Sequence, residues 1–281
     1  MAGVVLAVTN TSAQRAPATP DNYGNARPLT QAQGREILEA FRTKGIAGYY
    51  FLEFQLRVLP ARGPERLIAG RLWGTRNPQG ELTRVEVDTV GGEQRLLIQN
   101  GPRPGVWSRS AEATGPATEL GEAALFEPVA LTDLTPFDLL RPFLYWSEVD
   151  YQGLTRVLGR PAHTFLLKPP AAFVTKYPVL TGVRVYLDSQ YQALVKTEYL
   201  GASGRVVKSM SVLDLKKLDL KERGEQWILK SVDLRNETTR NKTRFQVTGA
   251  ALDQEFSPAS FTPAGLADKL AAPAGLTRIE P

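Results

Sequence analysis

Residues 182–248 constrain the fold more than any other stretch, because they read as an unbroken series of short strands. The segments are rich in β-branched and aromatic residues and are separated by turn sequences such as Gly201-Ala202-Ser203-Gly204. We predict strands at 183–188, 193–200, 205–214, 226–234 and 241–248. Strands this short, joined this tightly, predict an antiparallel meander.

The meander is predicted to have one apolar face and one solvent-exposed face. Val183, Val185 and Leu187 alternate with the polar Arg184 and Asp188. Such period-two alternation is typical of a sheet that is solvated on one side only. The apolar side therefore needs another part of the chain to cover it.

The N-terminal half is also predicted to consist mainly of strands, and one helix precedes them. Thr30 is a suitable N-cap for a helix running to about residue 44, with Ile37, Leu38 and Phe41 on one side. The cleanest strand pattern follows at 49–58. Further strands are predicted at 67–73, 82–88, 95–99, 106–108, 154–158 and 161–168. Strands at this spacing, with few helices between them, predict one large antiparallel sheet.

A short apolar segment interrupts the strands at 134–146. Thr135 and Pro136 form a good helix start, and Pro142 is expected to break the helix after one or two turns. The segment carries its own apolar side chains on nearly all of its sides. It must therefore be buried, or must cover an apolar surface.

Composition narrows the classes of function. The chain has 281 residues, 42% of them hydrophobic, and a net charge of +5 that is spread along the sequence. Without a run of Lys and Arg we expect no nucleic-acid partner, whereas anionic partners such as lipid headgroups remain compatible with the charge. The absence of cysteine excludes disulfides and thiolate chemistry. No apolar run reaches the roughly 20 residues of a membrane-spanning helix.

We divide the chain into three parts. Residues 1–28 are either a disordered tether or the remnant of a secretory signal, since the apolar run at 3–8 precedes small residues but lacks a basic start. Residues 29–268 are expected to form one domain. Residues 269–281 are expected to be a frayed tail.

Few residues suggest catalysis. His163 is the one histidine, and the sequence shows no cluster with metal-ligand spacing, so we interpret it as structural and expect no metal and no cofactor. Four acidic residues of the middle region could supply a carboxylate pair, but surface or capping roles explain each of them. These are Asp133, Asp138, Glu148 and Asp150. We therefore expect a protein that is not an enzyme.

The aromatic residues of the strands have two interpretations. They include Tyr50, Phe54, Tyr199 and Phe245. The residue pattern by itself favours an ordinary core. A strongly curved sheet, however, often cannot fill its own interior, so the same side chains could line a cavity.

The order of these elements resembles the LolA-like family of outer-membrane lipoprotein-sorting proteins. The resemblance is carried by segments 134–143, 183–210, 226–245 and 255–266, and covers most of residues 29–266. Its most telling positions lie in the second segment: Tyr186, Leu187, Asp188, Glu198, Tyr199, Gly204 and Lys208.

The resemblance implies a fold that is mainly β with some α: a half-barrel, in which helices cover the concave apolar face of a large curved antiparallel sheet. It also implies a periplasmic, non-enzymatic protein that holds the acyl chains of a lipid or lipoprotein. The expected lid residues are Phe137, Leu139, Leu140, Phe143 and Trp146. The expected cavity residues are Tyr50, Leu52, Phe54, Trp73, Phe165, Tyr199 and Phe245.

The expected partners are lipid or lipoprotein acyl chains, exchanged with a membrane-bound loading or receiving protein by a monomeric carrier. The alternative is an envelope protein-interaction module with the same fold and a filled core. An enzyme acting through His163 or Asp138 ranks third.

Overall fold

The structure, a computed structural model, describes residues 29–220 and 224–280. The expectations for residues 1–28 lie outside this part of the chain. The described α-helices are α1 (Gln31–Thr43), α2 (Pro136–Leu140) and α3 (Ala171–Lys176). The described strands are β1 (Tyr49–Leu59), β2 (Arg66–Asn77), β3 (Gly80–Thr89), β4 (Gly92–Gln99), β5 (Gly105–Ser110), β6 (Thr118–Glu119), β7 (Glu148–Val157), β8 (Arg160–Lys168), β9 (Gly182–Asp188), β10 (Leu194–Leu200), β11 (Val206–Leu220), β12 (Gly224–Asn236), β13 (Lys242–Gln254) and β14 (Thr277–Arg278).

The strands form one antiparallel sheet that curves but does not close. Their order across the sheet is β6-β5-β4-β3-β2-β1-β13-β12-β11-β10-β9-β8-β7, and β14 pairs with β13. The predicted meander is therefore confirmed as β9 to β13, in which each strand pairs with the next along the chain. Strands β1 to β6 form a second meander, and the pairing of β1 with β13 joins the two meanders into one sheet. The predicted half-barrel is confirmed.

The first helix begins where the sequence predicts and closes one edge of the sheet. Thr30 and Gln33 form a capping box at the start of α1. Gln31 bonds both backbone groups of Tyr151 on the outer strand β7, with two distances of 2.8 Å. At Gly34, an added Cβ would lie 2.5 Å from the Tyr151 ring, so only glycine permits this close packing. The helix thus covers an otherwise open strand edge.

The second helix also begins and ends as predicted. Thr135 and Asp138 form a capping box around Pro136 at the first helical position. The helix ends at Leu140 because Arg141 takes a left-handed conformation, with φ 47° and ψ 47°, before Pro142. A residue other than glycine is strained in this region, which fixes the abrupt end of α2.

Both faces of β1 are buried, each by a different part of the chain. We call the face that carries α2 the inner face. Tyr50 and Leu52 lie on it, opposite Gly74 and Leu72 of β2. Phe51 lies on the outer face with its partner Trp73, in a cluster that includes Phe261 and Leu266. The 3-10 segments Pro258–Phe261 and Ala264–Ala267 thus cover the outer face.

A buried ionic network holds these C-terminal segments on the outer face. Arg84 and Glu86 are both almost fully buried and lie 2.7 Å apart. Arg84 also donates to the carbonyl of Gly265 at 2.8 Å, and Arg95 donates to those of Leu266 and Ala267 at 3.0 and 2.9 Å. The carboxylate of Glu86 therefore balances guanidinium groups that cap the 3-10 segments.

Two residues of the predicted C-terminal tail, Thr277 and Arg278, pair with the sheet. Strand β12 pairs with β13 from Ser231 to Arg235 only, and its first half continues with β11 as a two-stranded ribbon. Farther along β13, Gly249 and Ala250 pair with β14. The side chain of Ile279 is buried in the same region. Part of segment 269–281 is ordered in this way because β13 offers unpaired backbone groups there.

Replacing Gly70 by Ala should lower the free energy of unfolding by about 1–3 kcal/mol. A Cβ at this position would lie 2.2 Å from the ring of Phe54, which packs across the glycine on the inner face. Urea unfolding measures the change. Gly91→Ala is the matched control, because nothing lies within 4 Å of its added Cβ. Equal stability of the two variants would show that the Phe54 ring moves aside at little cost.

Candidate functional site

One half of the inner face is filled with side chains. Over β8 to β10, a buried cluster includes Phe165, Val185 and Tyr199 and is covered by α2 and α3. The aromatic rings of this half contact one another with centroid distances between 4.7 and 6.3 Å. These rings are Phe126, Phe137, Phe143, Trp146, Phe173, Tyr177 and Tyr199. We call this set the aromatic cluster.

The other half of the inner face contains a cavity of about 660 Å³. Its wall is mostly apolar and comes from β1 to β4, from β11 to β13, from α2, from the end of α1 with residues 44–46, and from residues 191–194. Typical side chains of the wall are Leu72, Ile98, Val212, Leu229 and Val232. A cavity of this volume and polarity is of the size that holds a small organic ligand.

A few polar groups sit in the apolar wall. The Tyr50 hydroxyl donates to Glu81 at 2.9 Å, and Arg141 pairs with the same carboxylate at 2.6 Å. Burial, together with the nearby charge of Glu81, raises the pKa of Tyr50 well above its usual value, so the phenol stays protonated. Arg141 thereby ties the end of α2 to strand β3.

A second ion pair ties the start of α2 to strand β11. Asp138 is buried, accepts a hydrogen bond from the backbone N–H of Thr135 at 2.8 Å, and pairs with Lys208. Burial and the Asp138 charge raise the pKa of Tyr199 well above its usual value. Asp138 is thus occupied by capping and pairing, as the capping interpretation predicts, and α2 is fixed at both ends.

The predicted lid residues divide between the two halves. Leu139 and Leu140 line the cavity. Phe137, Phe143 and Trp146 are buried in the aromatic cluster. The short α2 therefore lies on the boundary, with one side against each half.

The predicted cavity residues are also separated by the structure. Tyr50, Leu52 and Phe245 line the cavity. Phe54 packs on Phe245, with ring centroids 4.7 Å apart. The other three lie elsewhere: Trp73 on the outer face, and Phe165 and Tyr199 among the buried residues of the filled half.

Several residues that shape the site carry no sequence signal for the role they have. Glu81 stands next to a turn, Arg141 looks like an ordinary surface charge, and Lys208 is noted only as a position of the family resemblance. Half-exposed Tyr191 and Trp227 mark the mouth, where the open cavity meets solvent. Among these charged residues, the sequence predicts a role for Asp138, because its position in the helix start is that of a capping residue.

The single histidine is a buried structural residue. His163 is 9% exposed, and its Nδ1 lies 2.9 Å from the Tyr151 hydroxyl. Burial lowers the pKa of His163, while the charge of Asp188 acts in the opposite direction. Within residues 29–220 and 224–280, no three acidic or histidine side chains are grouped so that they could hold a metal ion.

Stability should fall as the pH is lowered below the usual histidine pKa of 6.5. Because the folded-state pKa of His163 is the lower one, the unfolded chain binds more protons in this range, so the contribution is present at pH 7.5 and is lost on acidification. Thermal unfolding of the protein and of His163→Gln between pH 7.5 and 5 measures it. The variant is expected to show the shallower decline, and parallel curves would contradict the prediction.

Comparison with known proteins supports the family resemblance. A family model described only as an uncharacterized protein matches residues 149–268. No curated protein sequence matches this chain. Among solved structures, a DUF1329 family protein from Desulfovibrio piger is similar with a TM-score of 0.69 and 13% identity, over 84% of this chain and 98% of its own.

Two further structures have the same architecture. A putative outer-membrane lipoprotein-sorting protein domain from Vibrio parahaemolyticus has a TM-score of 0.69 and 13% identity, over 84% of this chain and 97% of its own. A LolA superfamily protein from Nitrosomonas europaea has a TM-score of 0.58 and 14% identity, over 82% and 97% of the two chains.

The open sheet, with a cavity over half of its inner face, defines a half-barrel that is partly hollow. This fold is LolA-like, as the resemblance of the sequence predicts. None of the helices in the described ranges has the length and apolar character needed to cross a membrane.

Proposed function

We propose that this chain is a non-enzymatic protein of the bacterial envelope that holds acyl chains of a lipid or lipoprotein in the cavity under α2. The observation that carries the proposal is the apolar cavity of about 660 Å³. Each methylene buried there would contribute about 0.8 kcal/mol, so a partly filled cavity already retains a lipid. The architecture shared with lipoprotein-sorting domains agrees with this role and with a periplasmic location.

In this function the residues have distinct roles. Leu139 and Leu140 cover the bound chain, and Leu52 and Phe245 lie in the cavity wall. The polar Tyr50, with Glu81 and Arg141, keeps α2 on the sheet. A membrane-bound protein that loads or receives the cargo is a further part of the proposal.

The test is ligand binding by delipidated protein. The protein is extracted under denaturing conditions, refolded, and titrated with a fluorescent fatty acid and with a diacylated lipopeptide. Native mass spectrometry of gently purified protein then shows the stoichiometry. We expect a one-to-one adduct and a higher melting temperature in the presence of ligand, since binding only to the folded state stabilises it.

A negative result favours a different class of protein. A clean apo mass after lipid addition, with no fluorescence change, would contradict the carrier function. The alternative is then an envelope protein-interaction module. The aromatic cluster, which fills half of the inner face, is the feature of the structure that agrees with this alternative.

A further inference from the structure

The charged residues in the cavity wall are unequally balanced. Four are cations and two are carboxylates: Arg42, Lys44, Arg76, Arg141, Glu81 and Asp138. Both carboxylates are neutralised by ion pairs, Glu81 with Arg141 at 2.6 Å and Asp138 with Lys208. Arg42 pairs with Glu39, which lies outside the wall. Two cations of the wall, Lys44 and Arg76, therefore have no salt bridge with any described residue.

Arg76 reaches the cavity because it lies on the inner face of β2. It stands two positions after Gly74, on which the Tyr50 ring packs. Its Nη2 donates to the carbonyls of Arg42 and Lys44 at 2.8 and 3.1 Å, at the end of α1. A guanidinium has five N–H donors, and the Nε and Nη1 groups of Arg76 have no acceptor among the described residues. These donors remain available to a ligand.

The nearest carboxylate on the sheet is bound to other groups. Glu81 of β3 is the register partner of Arg76. Its carboxylate accepts hydrogen bonds from the Tyr50 hydroxyl at 2.9 Å and from Arg141 at 2.6 Å, and it forms no salt bridge with Arg76. Two guanidinium groups thus stand beside one carboxylate, which leaves this end of the cavity with an excess of positive charge.

Lys44 adds a second charge at the same end. Its carbonyl accepts a hydrogen bond from Arg76, and its ammonium group donates to the carbonyl of Tyr191 at 3.3 Å. The acidic residues of the β11–β12 ribbon do not offset this charge within the wall. Asp219 and Glu225 are not wall residues, and Glu225 pairs with Lys217. We call Lys44 and Arg76 the cationic end of the cavity.

We propose that the cargo of the cavity is an amphiphile with an anionic headgroup, a carboxylate or a phosphate monoester, which Lys44 and Arg76 bind while the acyl chain lies against the apolar wall. Charge-assisted hydrogen bonds to such a headgroup are stronger than those between neutral groups. The apolar part of the wall disfavours the headgroup, because burying an anion without partners is costly. The inference rests on the proposed function and narrows its cargo to negatively charged lipids.

Ligands that share one tail and differ in their headgroups test this inference. Delipidated full-length protein is loaded with N-phenylnaphthylamine, an uncharged fluorescent probe, at about pH 8, where carboxylates are ionised and alkylamines are protonated. Dodecanoate, dodecyl phosphate, dodecanol and dodecylamine then compete with the probe. We expect the two anions to displace it at about tenfold lower concentration than dodecanol, because they add charge-assisted hydrogen bonds to the same apolar contact. Dodecylamine should be the weakest competitor.

Two further measurements identify what the cationic end recognises. Inorganic phosphate has the charge without the tail and should leave the probe bound. Raising the ionic strength should shrink the preference for the anions and leave the affinity for dodecanol unchanged, because salt screens charges that are partly exposed. The stronger of the two anionic competitors then shows whether a fatty acid or a phosphorylated lipid is the better ligand.

Variants that remove charge test the two residues. The double variant Lys44→Gln, Arg76→Gln keeps hydrogen-bond donors at both positions and should lose the preference for the anions while binding dodecanol normally. Its matched control is Arg156→Gln, Arg205→Gln, which removes the same charge at exposed positions outside the wall and should keep the preference. Circular dichroism verifies folding. Lys44→Gln alone leaves the contacts of Arg76 with α1 intact and should lower the preference about threefold.

The outcomes separate this inference from the proposed function. Equal displacement by dodecanol and the anions overturns the anionic cargo but leaves the carrier function standing. The same holds if the folded double variant keeps its preference, or if inorganic phosphate alone displaces the probe. Loss of the preference in the double variant and not in its control supports the inference. If no ligand displaces the probe and the fluorescent fatty acid is not taken up, both proposals fail.

Discussion

Replacing Glu86 by Gln is expected to lower the free energy of unfolding by about 3–5 kcal/mol, the usual cost of removing one partner of a buried ion pair. The variant keeps the side-chain volume but leaves the buried guanidinium of Arg84 without its carboxylate, 2.7 Å away in the native protein. Arg95 also lies 3.9 Å from that carboxylate. Urea unfolding measures the change. Limited proteolysis should in addition show faster cleavage within 257–270, since both arginines hold that segment.

The control is a solvent-exposed salt bridge of the same protein. Arg57 and Glu65 form a salt bridge while remaining 48% and 39% exposed. Glu65→Gln should therefore change the free energy of unfolding by less than about 1 kcal/mol. If Glu86→Gln costs no more than this control, the buried network does not hold the C-terminal segment.

Filling the cavity is expected to weaken ligand uptake while preserving the fold. Met210 and Val212 lie on one face of β11, line the cavity and are only partly buried. In the double variant Met210→Trp, Val212→Trp, two indole rings occupy the space that the acyl chain would take. The affinity for the fluorescent fatty acid should fall at least about tenfold, because roughly two or more methylenes lose their burial.

The neighbouring position provides the matched control. Ser211 lies between these residues and points to the other face of the strand, so Ser211→Trp adds the same ring outside the cavity. This variant should bind ligand like the unaltered protein. A double variant that is folded and keeps full affinity would show that the ligand binds elsewhere.

Local sequence signals predict the elements of this fold well. Period-two alternation identifies the strands of the meander, and Thr135 with Pro136 identifies the start of α2. These signals suffice because they depend on residues that are close in sequence, where capping and turn geometry are decided.

The assignment of faces depends on contacts that are distant in sequence. Tyr50, Phe51 and Leu52 are all apolar, so alternation does not show that Phe51 and Trp73 face outward beneath segment 258–267. In the same way, the charges of Arg84 and Glu86 predict a solvent-exposed face, yet the C-terminal segment buries both side chains. The residue pattern of a strand distinguishes its two faces, but it does not predict which remote segment covers each face.

The residue pattern does not predict where the cavity lies. Phe165, Tyr199 and Phe245 have similar strand contexts, but the first two are packed in the filled half and the third borders the hollow half. The difference comes from where α2 and α3 lie across the sheet. The position of α2 depends on Arg141 and Asp138 pairing with Glu81 and Lys208, which are remote in the chain.

The unequal packing of the inner face gives the molecule a gradient of local stability. Opening the aromatic cluster would expose many rings at once, so backbone amides of β8 to β10 should exchange with solvent mainly through global unfolding. Around the cavity fewer contacts are lost when α2 moves, and exchange there should proceed through small local openings. The strands under the aromatic cluster should therefore be the more protected part of the inner face, and the strands around the cavity the less protected part.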